Sequence, residues 1–265
     1  MSELHSRPLA VVTGASSGIG AVYAERLARR GYDLILVARR ADRLETLAAE
    51  LSQTSAQNRV VAADLTRNDD ISRVEEILAA EPRLSLLVNN AGSGKIGATA
   101  DISAEDATAM IALNVTAMTR LTKAVLPKLL ERNAGAIINI ASVMALHSFP
   151  VTSLYSATKA FVLNFTRGLQ EELAGTAVRA QVVLPAGVVT EFYDHAGVPI
   201  SAFDPAAFMS AENLVDAALA GFDQGEAVTL PSVHEQSLWQ AYDAARADLF
   251  AATQTGEPAQ RYRAA

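Results

Sequence analysis

Tyr155 and Lys159 stand four positions apart in the run Tyr155-Ser156-Ala157-Thr158-Lys159, and Ser142 lies thirteen residues before Tyr155, at the end of an apolar stretch. On a helix, side chains at i and i+4 project from one face, so the phenol and the ammonium would be neighbours. A free tyrosine ionises near pH ~10 and is a poor base at neutral pH. A nearby cation favours the phenolate and lowers that value. The phenol could then protonate a nascent alkoxide, or take a proton from an alcohol. Ser142 could polarise and hold the same oxygen. A surface Tyr/Lys pair and an unrelated strand-end serine would leave the same letters, so the pattern gains meaning only beside a hydride carrier.

A place for such a carrier lies near the N-terminus. Thr13 to Gly20 reads TGASSGIG, between a strand-like run and a helix-like one. Its G-x3-G-x-G spacing is a variant of the phosphate-binding G-x-G-x-x-G turn. Glycines make the turn tight and let phosphates approach bare backbone, and the helix N-terminus adds unpaired N–H groups. An ordinary strand-to-helix connection is the bland alternative. The end of the second apolar run chooses the dinucleotide, because a carboxylate there holds the ribose hydroxyls of NAD, whereas an arginine accommodates a 2′-phosphate. Here Ala38 is followed by Arg39 and Arg40, with no carboxylate. Two guanidiniums suit phosphate and favour NADP(H), unless they merely open the next helix in solvent. Asp64 could reach the adenine edge or cap a helix. Asn89-Asn90-Ala91-Gly92 allows close approach to a ribose, or forms an ordinary turn.

These groups need elements to carry them. Seven short apolar runs, Leu9–Thr13, Asp33–Ala38, Arg59–Ala63, Leu84–Asn89, Ala136–Ala141, Arg179–Leu184 and Ala227–Leu230, alternate with helix-length segments. Runs apolar on both faces predict strands of a parallel sheet covered by helices. Ile19–Arg30 places Ile19, Tyr23 and Leu27 on one stripe and stops at Gly31; Asp42–Leu51 does the same with Leu44, Leu47 and Leu51. Ser153–Leu173 reads as the helix that carries Tyr155 and Lys159. The expected architecture is a doubly wound α/β fold with a mostly parallel seven-stranded sheet in a single domain spanning 1–265. Thr190–Met209 breaks the rhythm as a loop-like excursion, with Gly197, Pro199 and Pro205 among four aromatics. It is the expected substrate lid, since ligands bind at the carboxyl edge of such sheets. Glu235–Phe250 reads as an amphipathic C-terminal helix.

Half of the 265 residues are hydrophobic and 19% are charged, the balance of a globular protein. A net charge of −7 argues against non-specific nucleic-acid binding. The chain has no cysteine, which removes disulfides, thiolate nucleophiles and cysteine zinc sites and fits a reducing, cytoplasmic setting. No secretory leader is expected in the first residues, nor any membrane-spanning stretch. His5, His147, His195 and His234 lack paired ligand spacing, so no catalytic metal is expected.

The chain resembles the short-chain dehydrogenase/reductase family. Gly14, Gly18 and Gly20 match its TGxxxGxG, Asn89 to Gly92 its NNAG, Asn114 its catalytic asparagine, and Ser142, Tyr155 and Lys159 its catalytic set. The resemblance runs in order from about Leu9 to Thr190 and implies a Rossmann-type fold. It implies Tyr155 as general acid/base, with Lys159 lowering its pKa and binding the nicotinamide ribose. Ser142 would steady the substrate oxygen, and Asn114 would hold a water linking Lys159 to solvent. Cofactor contacts are implied for Gly14, Ser16, Ser17, Gly18, Ile19, Gly20, Arg39, Arg40, Asp64, Leu65, Asn90, Ala91, Gly92, Pro185, Gly187, Val188 and Thr190. The family usually has Pro-Gly after the sixth strand; Pro185-Ala186-Gly187 departs from it by one methyl-bearing residue. The helices around Ala104–Glu131 and Ser153–Leu173 are those that pair across subunits in the family, implying a homodimer or homotetramer.

Met144, His147, Phe149, Phe192, Tyr193, Phe203 and Phe208 are the expected substrate-side residues, and they outline a largely apolar pocket. Several of these aromatics could equally pack the lid onto the core. The expected activity is NADP(H)-dependent reduction of a ketone or aldehyde. The rivals are an NAD-linked alcohol dehydrogenase, a 3-oxoacyl reductase of carrier-bound groups, and a nucleotide-sensing binding protein without turnover. The intact Ser142–Tyr155–Lys159 set argues against the last.

Overall fold

The computed structural model describes residues 7–54 and 56–263. His5 and the leader reading of the first residues lie outside them. Strand β1 (Leu9–Thr13) is buried along its whole length and leads into helix α1 (Gly18–Arg29). Strand β2 (Asp33–Ala38), helix α2 (Ala41–Leu51), strand β3 (Asn58–Ala62), helix α3 (Asn68–Ala80) and strand β4 (Leu84–Asn89) follow. Helix α4 (Ala104–Ile111), a π-helical turn over Ala112–Ala117 and helix α5 (Met118–Glu131) run on into strand β5 (Gly135–Ile140). Helix α6 (Ser153–Glu172) and strand β6 (Val178–Val183) complete the region that carries the chemistry. The later elements are strand β7 (Gly187–Val188), helix α7 (Phe192–Ala196), strand β8 (Phe208–Met209), helix α8 (Ala211–Asp223), strand β9 (Val228–Thr229) and helix α9 (Gln236–Ala252).

Seven strands form one parallel sheet in the order β3-β2-β1-β4-β5-β6-β9. The chain builds outward from β1 through β2 to β3, then returns to place β4 on the other side of β1. That reversal opens a crevice at the carboxyl ends of β1 and β4, where a doubly wound sheet binds its ligand. Two apolar layers cover the faces. Val22, Tyr23 and Leu27 of α1, Leu44 of α2 and Leu214 of α8 pack on one side. Ile71 and Leu78 of α3, Leu121 and Val125 of α5 and Leu169 of α6 pack on the other.

Several boundaries differ from the sequence reading. The third, fifth and sixth strands begin and end one residue earlier than expected. The third is not apolar on both faces: β3 is the sheet edge, and Arg59 and Ala62 are exposed. Thr190–Met209 is more ordered than a loop, because α7, two single helical turns and β8 lie within it, and β8 pairs with β7. The chain separates into two compact units, Met1–Pro231 and Ser232–Ala265. The second holds α9, whose Leu238, Tyr242, Leu249 and Phe250 are exposed. Among the described residues, no helix is long and apolar enough to cross a membrane.

Candidate active site

The glycine turn is held by backbone geometry. Gly14 and Gly18 have φ of +68° and +53°, a region that other residues rarely adopt. A methyl at Gly20 would stand 2.3 Å from the Gly14 carbonyl oxygen, and one at Gly18 would stand 3.0 Å from Thr190 Cγ2. These glycines therefore let the turn fold back on itself and let the segment after β7 descend onto it. The ends of β1 and β4 are stitched together above the crevice. Thr13 Oγ1 accepts from the Asn90 and Ala91 amides at 3.0 and 2.9 Å, and the Asn90 side chain donates to the Thr13 carbonyl at 2.9 Å. Ser17 opens α1 without a side-chain cap, so the helix presents first-turn N–H groups and the positive end of its dipole.

A cavity of about 380 Å³ opens over this turn. Gly14, Ser16, Ser17, Gly18 and Ile19 form its floor; Arg39, Arg40, Asp64 and Leu65 form one wall; Asn90, Ala91, Gly92 and Thr190 form the other. Arg39 is exposed at the rim. Asp64 Oδ1 accepts from the Thr66 amide and hydroxyl at 3.0 and 2.8 Å, so that oxygen is already committed to a local turn. Bare backbone, an uncapped helix start and arginines in one elongated cleft are what a dinucleotide requires. The sequence reading missed Ser93, Glu191 and His195, which also line the cavity. Gly20, Tyr155, Lys159, Pro185, Gly187 and Val188 do not line it.

The proton-handling groups lie just past the Gly92 end. Ser142 caps the turn after β5, accepting from the Met144 amide at 3.2 Å, and its hydroxyl reaches the buried Pro185 carbonyl at 3.4 Å. The extra residue Ala186 therefore follows an anchored proline. The Ser142 hydroxyl also lies beside the Tyr155 phenol. One turn along α6, Lys159 is buried, donates to the Ile140 carbonyl at 3.0 Å and stands 5.8 Å from the Tyr155 ring centroid. Burial pushes the Tyr155 phenol up, partly opposed by the neighbouring Ser142 hydroxyl. Burial pulls the Lys159 ammonium down to about 8.

Gly92 joins the two regions. A methyl there would lie 3.2 Å from Asn114 Oδ1, which would have to give by a few tenths of an ångström, and 3.4 Å from Lys159 Nζ, so the cavity wall runs within van der Waals reach of the ammonium. Asn114 sits in the π turn, a rare conformation frequent at functional sites. Both amide protons and one oxygen lone pair of its side chain are engaged: Oδ1 accepts from the Ser93 amide at 2.9 Å, and Nδ2 donates to the Ser93 carbonyl at 2.8 Å and to Thr158 Oγ1 at 3.0 Å.

Of the expected substrate-side residues, Phe192 alone lines the cavity. Its ring lies 5.5 Å from that of Tyr155 and covers Gly94. Tyr193, Phe203 and Phe208 pack edge-on or tilted against one another at 5.1 to 5.6 Å, and so fasten the segment after β7. His147 and Phe149 form an exposed edge-on pair beyond Met144. Among the described residues, no cluster of three His, Asp or Glu side chains could hold a metal ion.

A phosphate-binding turn at the β1/β4 crevice, with a serine, tyrosine and lysine converging beside it, defines a nucleotide-dependent oxidoreductase. The comparisons make the assignment specific. The chain matches the short chain dehydrogenase family over residues 8–197. It belongs to that family and is an NAD(P)-dependent short-chain dehydrogenase/reductase. A short-chain dehydrogenase from Sphingobium yanoikuyae in complex with NADPH shares 44% identity and a TM-score of 0.93, over 96% of this chain and all (100%) of that one. The bulky-bulky ketone specific alcohol dehydrogenase from Comamonas testosteroni shares 40% identity and a TM-score of 0.88, over 97% and 99% of the two chains. Human 17-beta-hydroxysteroid dehydrogenase type 3 is 36% identical over 189 residues, 68% of this chain but only 59% of that protein's length.

Proposed function

We propose that the chain is an NADP(H)-dependent carbonyl reductase. Its substrate is a ketone or aldehyde with a hydrophobic body, and residues 190–209 serve as the lid. The observation that carries this reading is that Ser142, the Tyr155 phenol and buried Lys159 come together at the end of the dinucleotide-shaped cleft. The bound nicotinamide dinucleotide supplies or accepts the hydride. Ser142 holds the carbonyl oxygen, and Tyr155 delivers its proton to that oxygen as negative charge develops. A phenol whose pKa is raised by burial is fully protonated at neutral pH and ready to act as the acid. Lys159 stabilises the phenolate left behind, and Asn114 fixes the Ser93 backbone and α6 around it.

Arg39 supports NADP(H), since a guanidinium at the end of β2 suits a 2′-phosphate and no carboxylate stands there. Phe192 over Tyr155 supports an apolar substrate, as does the ketone preference that the Comamonas protein's description records. The exposed Ile111, Leu130 and Phe161, with Phe161 stacked on Phe165, support a homodimer or homotetramer. The cysteine-free composition supports a cytoplasmic site of action. A panel of ketones and aldehydes assayed with NADPH and with NADH tests the reading. NADPH is expected to give the higher kcat/KM, with apolar ketones foremost. Higher efficiency with NADH throughout would remove the cofactor assignment, and no carbonyl turnover at all would remove the reaction.

A further inference from the structure

Glu191 lines the cavity directly after Thr190, placing a carboxylate in a cleft built for a polyanion. Its two oxygens are divided between two guanidiniums. Oε2 accepts from Arg40 Nη1 at 2.8 Å, and Oε1 accepts from Arg43 Nη1 at 2.6 Å. Arg40 spends its remaining nitrogens on the glycine turn, reaching Ser16 Oγ at 3.3 and 3.2 Å and Ser17 Oγ at 2.7 Å. Arg39, one residue earlier and in the same cavity wall, forms no ion pair or hydrogen bond among the described residues. Three guanidiniums and one carboxylate leave two positive charges. A phosphomonoester carries about 1.5 to 2 negative charges at neutral pH, so a carboxylate in this cleft opposes its binding and a free guanidinium favours it.

We infer that Glu191 is a specificity-determining residue for the cofactor. It holds Arg40 and Arg43 away from the ligand, leaves Arg39 as the guanidinium free for a 2′-phosphate, and tempers the preference for NADP(H) over NAD(H). The inference rests on the NADP(H) reading given above. The Arg43 and Arg40 hydrogen bonds hold the Glu191 carboxyl down at about 2, so it stays charged throughout the working pH range. An ionised carboxylate beside a phosphate site repels the ligand, and a neutral amide of the same shape does not. NAD(H) lacks the 2′-phosphate and feels the change only through the pyrophosphate that both cofactors share, so the difference between the two cofactors isolates the 2′-phosphate.

The test is calorimetric titration of the full chain with NADPH and with NADH, in wild type, Glu191→Gln and Arg39→Ala. Glu191→Gln is expected to tighten the Kd for NADPH about three- to thirtyfold and to leave NADH within about twofold. High salt should shrink that gain, because it screens exposed charge. Arg39→Ala is expected to bring NADPH binding down to the level of NADH. An unchanged or weaker NADPH Kd in Glu191→Gln overturns the inference. An equal change for both cofactors also overturns it, since that would make the ion pair a tether for the lid. If instead wild type binds both cofactors alike and Arg39→Ala changes neither, the NADP(H) reading fails; Glu191→Gln then reports separately on whether the carboxylate repels phosphate.

Discussion

Gly94→Ala is expected to disturb the substrate side of the site through Phe192 alone. A methyl at Gly94 would stand 2.4 Å from Phe192 Cζ, 2.9 Å from Cε2 and 3.3 Å from Tyr155 Cδ2. Ordinary carbon contacts begin near ~3.5 Å, so the phenylalanine ring must retreat by roughly 1 Å. Phe192 opens a five-residue helix and gives way more easily than Tyr155, which is set in a helix of 20 residues. Its retreat breaks the ring contact with Tyr155, and such aromatic pairs are worth about 0.5–1.5 kcal/mol. At about 1.4 kcal/mol per tenfold, that corresponds to a two- to tenfold rise in KM for apolar ketones. Gly94 does not line the cofactor cavity but Phe192 does, so the NADPH Kd should move as well, by no more than the change in KM. Steady-state assays on Gly94→Ala, Phe192→Ala and the double variant decide the matter. Phe192→Ala should produce a similar loss, and adding Gly94→Ala to it should cost nothing further. Multiplicative losses in the double variant would refute the reasoning.

Other outcomes follow from the same geometry. Gly20→Ala drives a methyl into the Gly14 carbonyl and the Asn90 amide, at 2.3 and 2.5 Å, and should weaken NADPH at least roughly tenfold by calorimetry; an unchanged Kd would contradict this account of the turn. Lys159, lowered to about 8 by burial, should make kcat/KM for reduction fall as pH rises through that value; Lys159→Arg should abolish the limb, and a limb that persists would assign it elsewhere. The same depression means that the unfolded chain keeps a proton the folded chain has shed. Apoprotein stability to urea should therefore rise as pH climbs from about 8, until the tyrosines of the unfolded chain ionise near 10, because buried Tyr23 and Tyr155, both raised by burial, act in the opposite sense. Asn139→Ala removes buried bonds to Asn89 and Thr166, both at 2.9 Å, and should cost about 2–4 kcal/mol of unfolding free energy; a loss under about 0.5 kcal/mol would contradict it.

The architecture was legible because its signals are local. Apolar runs of strand length, separated by stripes such as Val22, Tyr23 and Leu27, impose alternating strands and helices whatever lies elsewhere in the chain. Position within the sheet was less legible. The run ending at Ala62 and Ala63 looks like its neighbours, but a strand at the edge has one side open, and Arg59 uses it. The π turn at Asn114 was hidden inside a continuous helical pattern, since one extra residue per turn barely alters apolar spacing. Thr190–Met209 looked like a loop because its order comes from β7–β8 pairing and from Tyr193, Phe203 and Phe208 packing together. The polar and steric partners of the site were invisible in the sequence. Glu191 meets Arg40 across 151 positions, and nothing near Gly94 announces that Phe192 will rest on it.

The central claim is that Tyr155 gives the proton, and Tyr155→Phe tests it most directly by removing one hydroxyl while keeping the ring. The measurement is single-turnover oxidation of bound NADPH by a ketone that the wild type reduces, alongside calorimetric NADPH affinity. The account predicts affinity within about threefold of wild type and a rate lower by roughly 10²–10⁴. Undiminished turnover with intact NADPH binding would contradict it.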